Sequence, residues 1–101
     1  MNDEILTRES ILMELKQIKP ELARRFGVSR IGLFGSYVRG DAKIGSDIDV
    51  VIELDEPDLF ALVHIKETLE EDFHRRVDVI PYGPLMNSYL KTRIQNEAVY
   101  V

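Results

Sequence analysis

The sequence predicts an α/β (α+β) fold in which helices pack on a small mixed β-sheet. Apolar residues recur every three or four positions in the first third of the chain and in two later segments, which is the period of a helix with one buried face. Short runs rich in valine and isoleucine, which favour strands, lie between these segments. A length of 101 residues allows one hydrophobic core, so residues 1–101 are predicted to form a single domain.

The first half of the chain is predicted to hold two helices and two strands. Gly27 suits the left-handed residue that ends a helix, and Pro20 is placed to begin a second helical turn before it. Strands are predicted over about residues 30–34 and 47–54, with a short helix after Ser36 between them. The apolar face of the first helix consists of Ile11, Leu15, Ile18 and Leu22.

The second half is predicted to add two helices and one strand. Pro57 and Asp58 open a helix, a strand follows over about residues 76–80, and a turn lies between Pro81 and Pro84. The apolar face of the first of these helices consists of Leu59, Leu62, Leu69 and Phe73. That of the last helix consists of Leu85, Tyr89, Leu90 and Ile94.

Composition narrows the class of protein. Hydrophobic residues make up 45% and charged residues 31%, which is ordinary for a soluble globular domain and excludes disorder and a coiled coil. The absence of cysteine excludes disulfides and thiolate zinc sites. Residues 1–4 are acidic and precede no apolar leader, and no apolar run reaches membrane-spanning length. We therefore expect a cytoplasmic protein without membrane contact.

Net charge bears on the choice of partner. A charge of -5 disfavours direct nucleic-acid binding, which normally requires a basic face. Four basic residues in the last third leave two alternatives, a local positive surface or the solvated ends of secondary-structure elements. They are Arg75, Arg76, Lys91 and Arg93.

A turn and the strand after it carry the clearest functional signal. Gly35 and Ser36 follow an apolar strand, where glycine lets the backbone approach an anion and a helix start offers free N–H groups. Asp47 and Asp49 alternate along the second strand and therefore point to one face, about 6–7 Å apart. Two such carboxylates repel each other, and a divalent cation turns that repulsion into coordination. Mg2+ also binds substrate phosphates, so the pattern predicts a phosphate-bearing substrate.

Each motif is common by itself, as a tight turn or as surface acids, but their order is specific. The segments Gly35-Ser36, Arg39-Gly40 and Ser46-Asp47-Ile48-Asp49 resemble the signature of the DNA polymerase beta-like nucleotidyltransferase superfamily. The short chain resembles its minimal nucleotidyltransferase (MNT) branch, and the resemblance spans about residues 7–101. It implies the polymerase beta-like fold, Mg2+ held by Asp47 and Asp49, and a third carboxylate that completes the site. Asp78 matches that third position.

Asp78 also stands out without the resemblance. A carboxylate inside a β-branched run is disfavoured by strand preference and by desolvation unless something compensates, as metal coordination would. The alternative is that Asp78 is exposed or pairs with Arg75 or Arg76. With three carboxylates the site would hold two metal ions, one at the attacking oxygen and one at the triphosphate.

The implied reaction transfers a nucleoside monophosphate from a nucleoside triphosphate and releases pyrophosphate. Asp47, Asp49 and Asp78 are the predicted catalytic and metal-binding residues, and Gly35 and Ser36 are predicted to bind the nucleotide. Arg39 is the remaining nucleotide-binding candidate; it either contacts phosphate or ties the loop to an aspartate.

Small MNT proteins of this type are similar to the antitoxins of type VII-like HEPN/MNT toxin–antitoxin pairs. The resemblance implies Mg-dependent transfer of AMP from ATP to a tyrosine of a HEPN ribonuclease toxin, which inactivates it. A short chain favours an acceptor that brings its own surface, although a homodimer could form a small-molecule cleft. Two alternatives stay open: an antitoxin that acts by binding alone, and a small-molecule nucleotidyltransferase.

Four aromatic and histidine residues have weaker claims to function. His64 and His74 are interpreted as packing or surface residues, because their spacing does not place two ligands on one helix face. Tyr37 and Tyr82 flank the predicted site and either stack on a base or serve as structural residues.

Overall fold

The computed structural model describes residues 6–101 and contains four helices and four strands. Residues 1–4, on which the prediction about a leader depends, lie outside the described residues. In chain order the elements are α1 (Arg8–Phe26), β1 (Val28–Phe34), α2 (Ser36–Arg39), β2 (Ile48–Leu54), α3 (Leu59–Phe73), β3 (Val77–Pro81), α4 (Ser88–Glu97) and β4 (Val99–Tyr100).

The strands form one sheet in the order β3-β2-β1-β4. The central pair, β1 and β2, is antiparallel, as is the pair of β1 with β4. The pair of β2 with β3 is parallel, and α3 makes the crossover that a parallel pair requires. The predicted fold class, helices on a small mixed sheet, is confirmed.

The two faces of the sheet are covered unequally. One face of β2 presents Ile48, Val50 and Ile52 to the larger core, which includes Ile11, Leu15 and Leu22 from α1 and Ile65 and Leu69 from α3. The opposite face carries a smaller cluster built on Phe34, Val51 and Ile94. Because side chains alternate along a strand, Asp49 shares the face of Val51, under α4.

Helix α1 agrees with its predicted apolar face but is not divided at Pro20. Thr7 and Ser10 form a capping box at its start, and Gly27 ends it with a left-handed φ of 73°. Pro20 lies inside one continuous helix, and the predicted helical segment up to Gly27 is confirmed. Its side chain is exposed, while Leu15 and Leu22 are fully buried on either side. Their burial holds both halves of the helix against the sheet, despite the missing N–H donor.

The starts of two helices differ from prediction. Leu59, predicted on the buried face of α3, is 79% exposed, because that face is formed by Ala61, Ile65 and Leu69. Leu85, predicted in the last helix, is 99% exposed and precedes it. Helix α4 begins three residues later, where the side chain of Asn87 accepts hydrogen bonds from the N–H groups of its first turn.

The two edge strands of the sheet, β4 and β3, differ from the sequence prediction. Strand β4 has two residues, too few for any periodicity, and pairs with Gly32 and Leu33. A Cβ on Gly32 would lie 2.8 Å from the Tyr100 ring, so this close packing requires glycine. Pro81, predicted as a turn residue, ends β3, and β3 is an edge strand, where proline is tolerated.

Within residues 6–101 no helix is both long and apolar enough to cross a membrane.

Two carboxyl groups meet between α1 and α3. A hydrogen bond with Asp72 raises the pKa of Glu14 to about 7, and burial and the charge of Asp72 act in the same direction. Glu14 therefore holds a proton in the folded protein at pH values where the unfolded chain has released it. Its contribution to stability is complete below pH 4.5 and is lost as the pH rises to about 7.

We predict that Glu14→Gln raises the free energy of unfolding at pH 8 by about 1 kcal/mol, a value reduced for solvent screening. Glutamine keeps a neutral hydrogen-bonding group opposite Asp72, so the gain shrinks to zero by about pH 4.5. Urea denaturation between pH 4.5 and 8 measures this difference. Glu71→Gln, on the exposed surface of α3, controls for the removal of one negative charge. A gain independent of pH would contradict the shared proton.

Candidate active site

Gly35 connects β1 to α2 in a conformation that glycine alone adopts readily. Its φ is 82° and its ψ is -146°, and its carbonyl accepts the N–H groups of Val38 and Arg39 at 3.0 Å. A Cβ on Gly35 would overlap Oδ2 of Asp49 and lie 3.0 Å from its Cγ. The Gly-Ser turn and the Asp-x-Asp strand are therefore in direct contact. The first residue of α2, Ser36, directly follows Gly35 and is partly buried.

Asp49 and Asp78 occupy paired positions on the parallel strands β2 and β3. The pKa of Asp49 is raised to about 6, first by burial and then by the charge of Asp78, a hydrogen bond with Asp78 and the charge of Asp47. The nearby charge of Arg39 acts in the opposite direction. Asp47, the predicted start of the strand, lies just before β2, which begins one residue later at Ile48. The charges of Asp47 and Asp78 thus disfavour the negative charge of Asp49 at this end of β2.

Asp78 reaches the site for a different reason than the sequence suggested. It is exposed on an edge strand, so the argument from desolvation was wrong. The alternative of pairing with a neighbouring arginine does not hold either, since residues 6–101 contain no ion pair between Asp78 and Arg75 or Arg76. The guanidinium of Arg75 donates to the Tyr37 hydroxyl at 3.0 Å instead. The strand register places Asp78 beside Asp49.

The donor set can be tested against the preferences of Mg2+. In the part of the chain that the structure describes, no group of three or more histidine, cysteine or acidic side chains is arranged to hold a metal ion. Asp47 is therefore not gathered with the other two aspartates into a complete cage. The paired carboxylates of Asp49 and Asp78 do fit Mg2+, which takes one or two carboxylates and completes its shell with water and phosphate oxygens.

Arg39 is tied to two acidic residues. Its Nε lies 3.4 Å from Oδ2 of Asp41 in the following loop, and its Nη1 lies 3.9 Å from Oε1 of Glu97 at the end of α4. The loop contact was one of its two predicted roles. The side chain is 43% exposed.

Sequence reasoning missed the contribution of α4 to this site. The guanidinium of Arg93 lies 5.6 Å from the ring centre of Phe34, and Phe34 is the cross-strand partner of Asp49. Arg93 also bonds Glu97, four residues along the same helix. The four-residue spacing of Arg93 and Glu97 can be read from the sequence. The strand face that α4 covers cannot.

Tyr37, His64 and His74 have structural roles in this fold, and the role of Tyr82 stays a prediction. The Tyr37 ring is buried in the larger core, which excludes it from stacking on a base. The Tyr82 hydroxyl accepts a hydrogen bond from Gln95 at 2.7 Å. His64 stacks on Phe26, and His74 is the left-handed residue that ends α3.

A cavity of about 360 Å³ lies beside α2, and none of the three aspartates lines it. Its walls are formed by Leu6, Tyr37, Gly40, Ala42, Lys43, Ile44 and Arg75. We assign the candidate active site to the contacts around Asp49, because the acidic groups and the glycine turn meet there.

Residues 15–101 match the family model described as the nucleotidyltransferase domain. The chain belongs to this nucleotidyltransferase family. It is 43% identical over 98 residues to the protein adenylyltransferase MntA of Thermococcus cleftensis, covering 96% of this chain and 98% of that relative. The family assignment makes the chain a nucleotidyltransferase enzyme.

Solved structures agree with this nucleotidyltransferase assignment. A proposed minimal nucleotidyltransferase superimposes with a TM-score of 0.73 and 26% identity, over 93% of this chain and 95% of that one. A complex of a tri-AMPylated HEPN toxin with an MNT antitoxin of Shewanella oneidensis gives a TM-score of 0.68. That match covers 93% of this chain and 71% of the other, and at 16% identity it supports the fold alone.

We predict that Gly35→Ala destabilises this nucleotidyltransferase by about 2–4 kcal/mol, because it adds backbone strain and a collision with Asp49. Gly40→Ala is the matched control: Gly40 has a φ of 87°, but an added Cβ would have no atom within 4 Å. Gly40→Ala is therefore expected to cost only the strain, about 1 kcal/mol. Urea denaturation of both variants measures the difference. Equal losses would contradict the contact between Gly35 and Asp49.

Proposed function

We propose that this protein is an antitoxin that transfers AMP from ATP, with Mg2+, to a tyrosine of a HEPN-family toxin. The observation that carries the proposal is the contact of the Gly35 turn with Asp49, whose partner on the neighbouring strand is Asp78. Support also comes from the adenylyltransferase relative, which covers nearly the whole chain, and from the fold shared with an antitoxin bound to an AMPylated HEPN toxin.

The proposed reaction replaces one phosphoanhydride bond by one phosphoester bond. The acceptor hydroxyl oxygen attacks the α-phosphorus of ATP, a bond forms between them, and the bond to the bridging oxygen of the β-phosphate breaks. Pyrophosphate leaves with the electron pair of that bond. Asp78 accepts the proton of the hydroxyl, since it is the exposed member of the carboxylate pair and an incoming side chain can reach it.

The remaining residues bind and orient the substrate. Gly35 and Ser36 lie beside the phosphates, and Arg39 neutralises their charge from the next helical turn. Mg2+, when bound by Asp49 and Asp78 with Asp47 beside them, would offset the charge that develops on the phosphoryl oxygens and on the leaving group. Without a cation, the ionised carboxylate of Asp49 lowers the stability of the fold, since its surroundings disfavour its negative charge.

A protein acceptor suits the position of the site. Asp78 lies on an edge strand and is exposed, so a tyrosine on the surface of another protein can approach without passing through a narrow cleft. A small-molecule acceptor needs a pocket that encloses it. The cavity of about 360 Å³ does not include the aspartates.

The test is the intact mass of the cognate HEPN toxin after incubation with this protein, Mg2+ and ATP. We predict mass increments of AMP with the unaltered protein and a loss of at least about 100-fold in rate for Asp49→Asn and for Asp78→Asn. Glu71→Gln, on the surface of α3, is the control and is expected to retain the activity.

Stability measurements separate a functional loss from a folding defect. Asp49→Asn removes a charge that its surroundings disfavour, so the variant is expected to unfold at higher urea concentration than the unaltered protein at pH 8 in EDTA. A more stable and inactive variant assigns Asp49 to catalysis. A toxin that is silenced without gaining mass would contradict the proposal and show inhibition by binding. Transfer to a small molecule without the toxin would point to the other class of acceptor.

A further inference from the structure

Glu97 occupies a position between two arginines that sequence analysis did not assign. It is the last residue of α4, and its Oε2 lies 3.4 Å from Nε of Arg93 on the preceding turn. Its Oε1 lies 3.9 Å from Nη1 of Arg39 on α2. One carboxylate therefore connects two helices that are far apart in the sequence.

The burial of Glu97 is uneven between its two oxygens. The side chain as a whole is 32% exposed, but Oε1 is buried, and within residues 6–101 it has no hydrogen-bond donor. A buried carboxylate oxygen without a donor is costly. The Arg39 guanidinium is the cation beside it, and a movement of less than about 1 Å would bring the two into hydrogen-bonding range.

Both arginines lie near the strand pair that carries Asp49. The backbone N–H of Arg39 donates to the carbonyl of Gly35 at 3.0 Å, Gly35 contacts Asp49, and the charge of Arg39 acts on Asp49. Arg93 lies over Phe34, whose cross-strand partner is Asp49, and cross-strand partners point to the same face. The two guanidinium groups thus approach the site from α2 and from α4.

A carboxylate lies at the Nε of both guanidinium groups, and Glu97 also lies 3.9 Å from Nη1 of Arg39. Nε of Arg39 faces Asp41, and Nε of Arg93 faces Glu97. An arginine has five N–H donors, so each group retains terminal N–H donors. Paired terminal N–H groups match the oxygens of a phosphate, and both side chains remain partly exposed, at 43% for Arg39 and 36% for Arg93.

We propose that Glu97 is a positioning residue that holds Arg93 and Arg39 side by side to bind the outer phosphates of ATP. The inference rests on the proposed function, because it assigns the terminal phosphates of the same substrate to these two side chains. It adds Arg93 as a phosphate-binding residue and gives Glu97 a role that acts through both arginines.

Electrostatics alone makes the opposite prediction. Removing a negative charge beside a triphosphate site strengthens binding of the anion if charge is the whole effect. Losing the group that orients two arginines weakens binding, because each guanidinium must then be ordered when ATP arrives. The sign of the change in ATP affinity therefore distinguishes a positioning residue from a charge that merely lies nearby.

The experiment compares dissociation constants for MgATP and for AMP, measured by calorimetry on the full chain. Glu97→Gln is expected to weaken MgATP binding about three- to tenfold and to leave AMP binding unchanged, since AMP lacks the outer phosphates. Arg93→Gln is expected to weaken MgATP binding about tenfold or more. In the double variant, Glu97→Gln is expected to weaken MgATP binding by a smaller factor than it does alone. Part of its effect on affinity acts through Arg93, which is already replaced.

Controls keep the outcomes separate. Glu71→Gln tests the loss of one distant negative charge, and thermal unfolding by circular dichroism tests the fold of each variant. Equal or tighter MgATP binding by folded Glu97→Gln overturns the inference while leaving the proposed function intact. If Glu97→Gln does not fold, Arg93→Gln decides: unchanged MgATP binding overturns the inference, and a loss confined to MgATP supports it. An unaltered protein that binds no MgATP overturns both proposals.

Discussion

The position of β2 between two other strands is the constraint on which the candidate site depends. Pairing with β1 brings the Gly35 turn against Asp49, and pairing with β3 brings Asp78 alongside. Each contact crosses a strand boundary, so a shift of one residue in either register would move Asp49 to the other face of the sheet. Ile48, Val50 and Ile52 prevent that shift, since each contributes about 1.5–3 kcal/mol by its burial on the opposite face.

This arrangement explains how the fold tolerates acidic groups in contact. The crowding of Asp49 disfavours its charge, and the larger core under α1 and α3 supplies the stability that offsets this cost. The opposite face carries only a smaller apolar cluster, in which Ile94 of α4 packs against Phe34 of β1 and Val51 of β2. Stability and chemistry are therefore separated onto the two faces of one sheet.

The acidic residues behind the net charge of -5 are concentrated in one segment of the chain. Residues 53–72 contain eight of the 18 acidic residues and one of the 13 basic residues. The charge of Arg39 acts instead on Asp49, and the guanidinium group of Arg93 lies over Phe34, the cross-strand partner of Asp49. A negative protein can thus offer cationic groups to a triphosphate, because binding depends on local charge rather than on the sum. The expectation that nucleic acid is not a direct partner stays a prediction.

The sequence by itself determined the fold class, the apolar faces of α1 and of most of α3, and the pattern of Gly35, Ser36, Asp47 and Asp49. These features follow from local periodicity and from motifs of neighbouring residues, both of which can be read along one chain. Of the two reasons that suggested Asp78, the argument from desolvation was wrong, since Asp78 is exposed on an edge strand, and the match to the superfamily motif stays a prediction. Strand order alone decided that Asp78 lies beside Asp49. The tertiary structure also decided the two-residue strand β4, the position of Arg93 over Phe34 and the position of Glu97 beside Arg39. These features depend on contacts between residues far apart in sequence, and no local pattern encodes which face of a sheet a distant helix will cover.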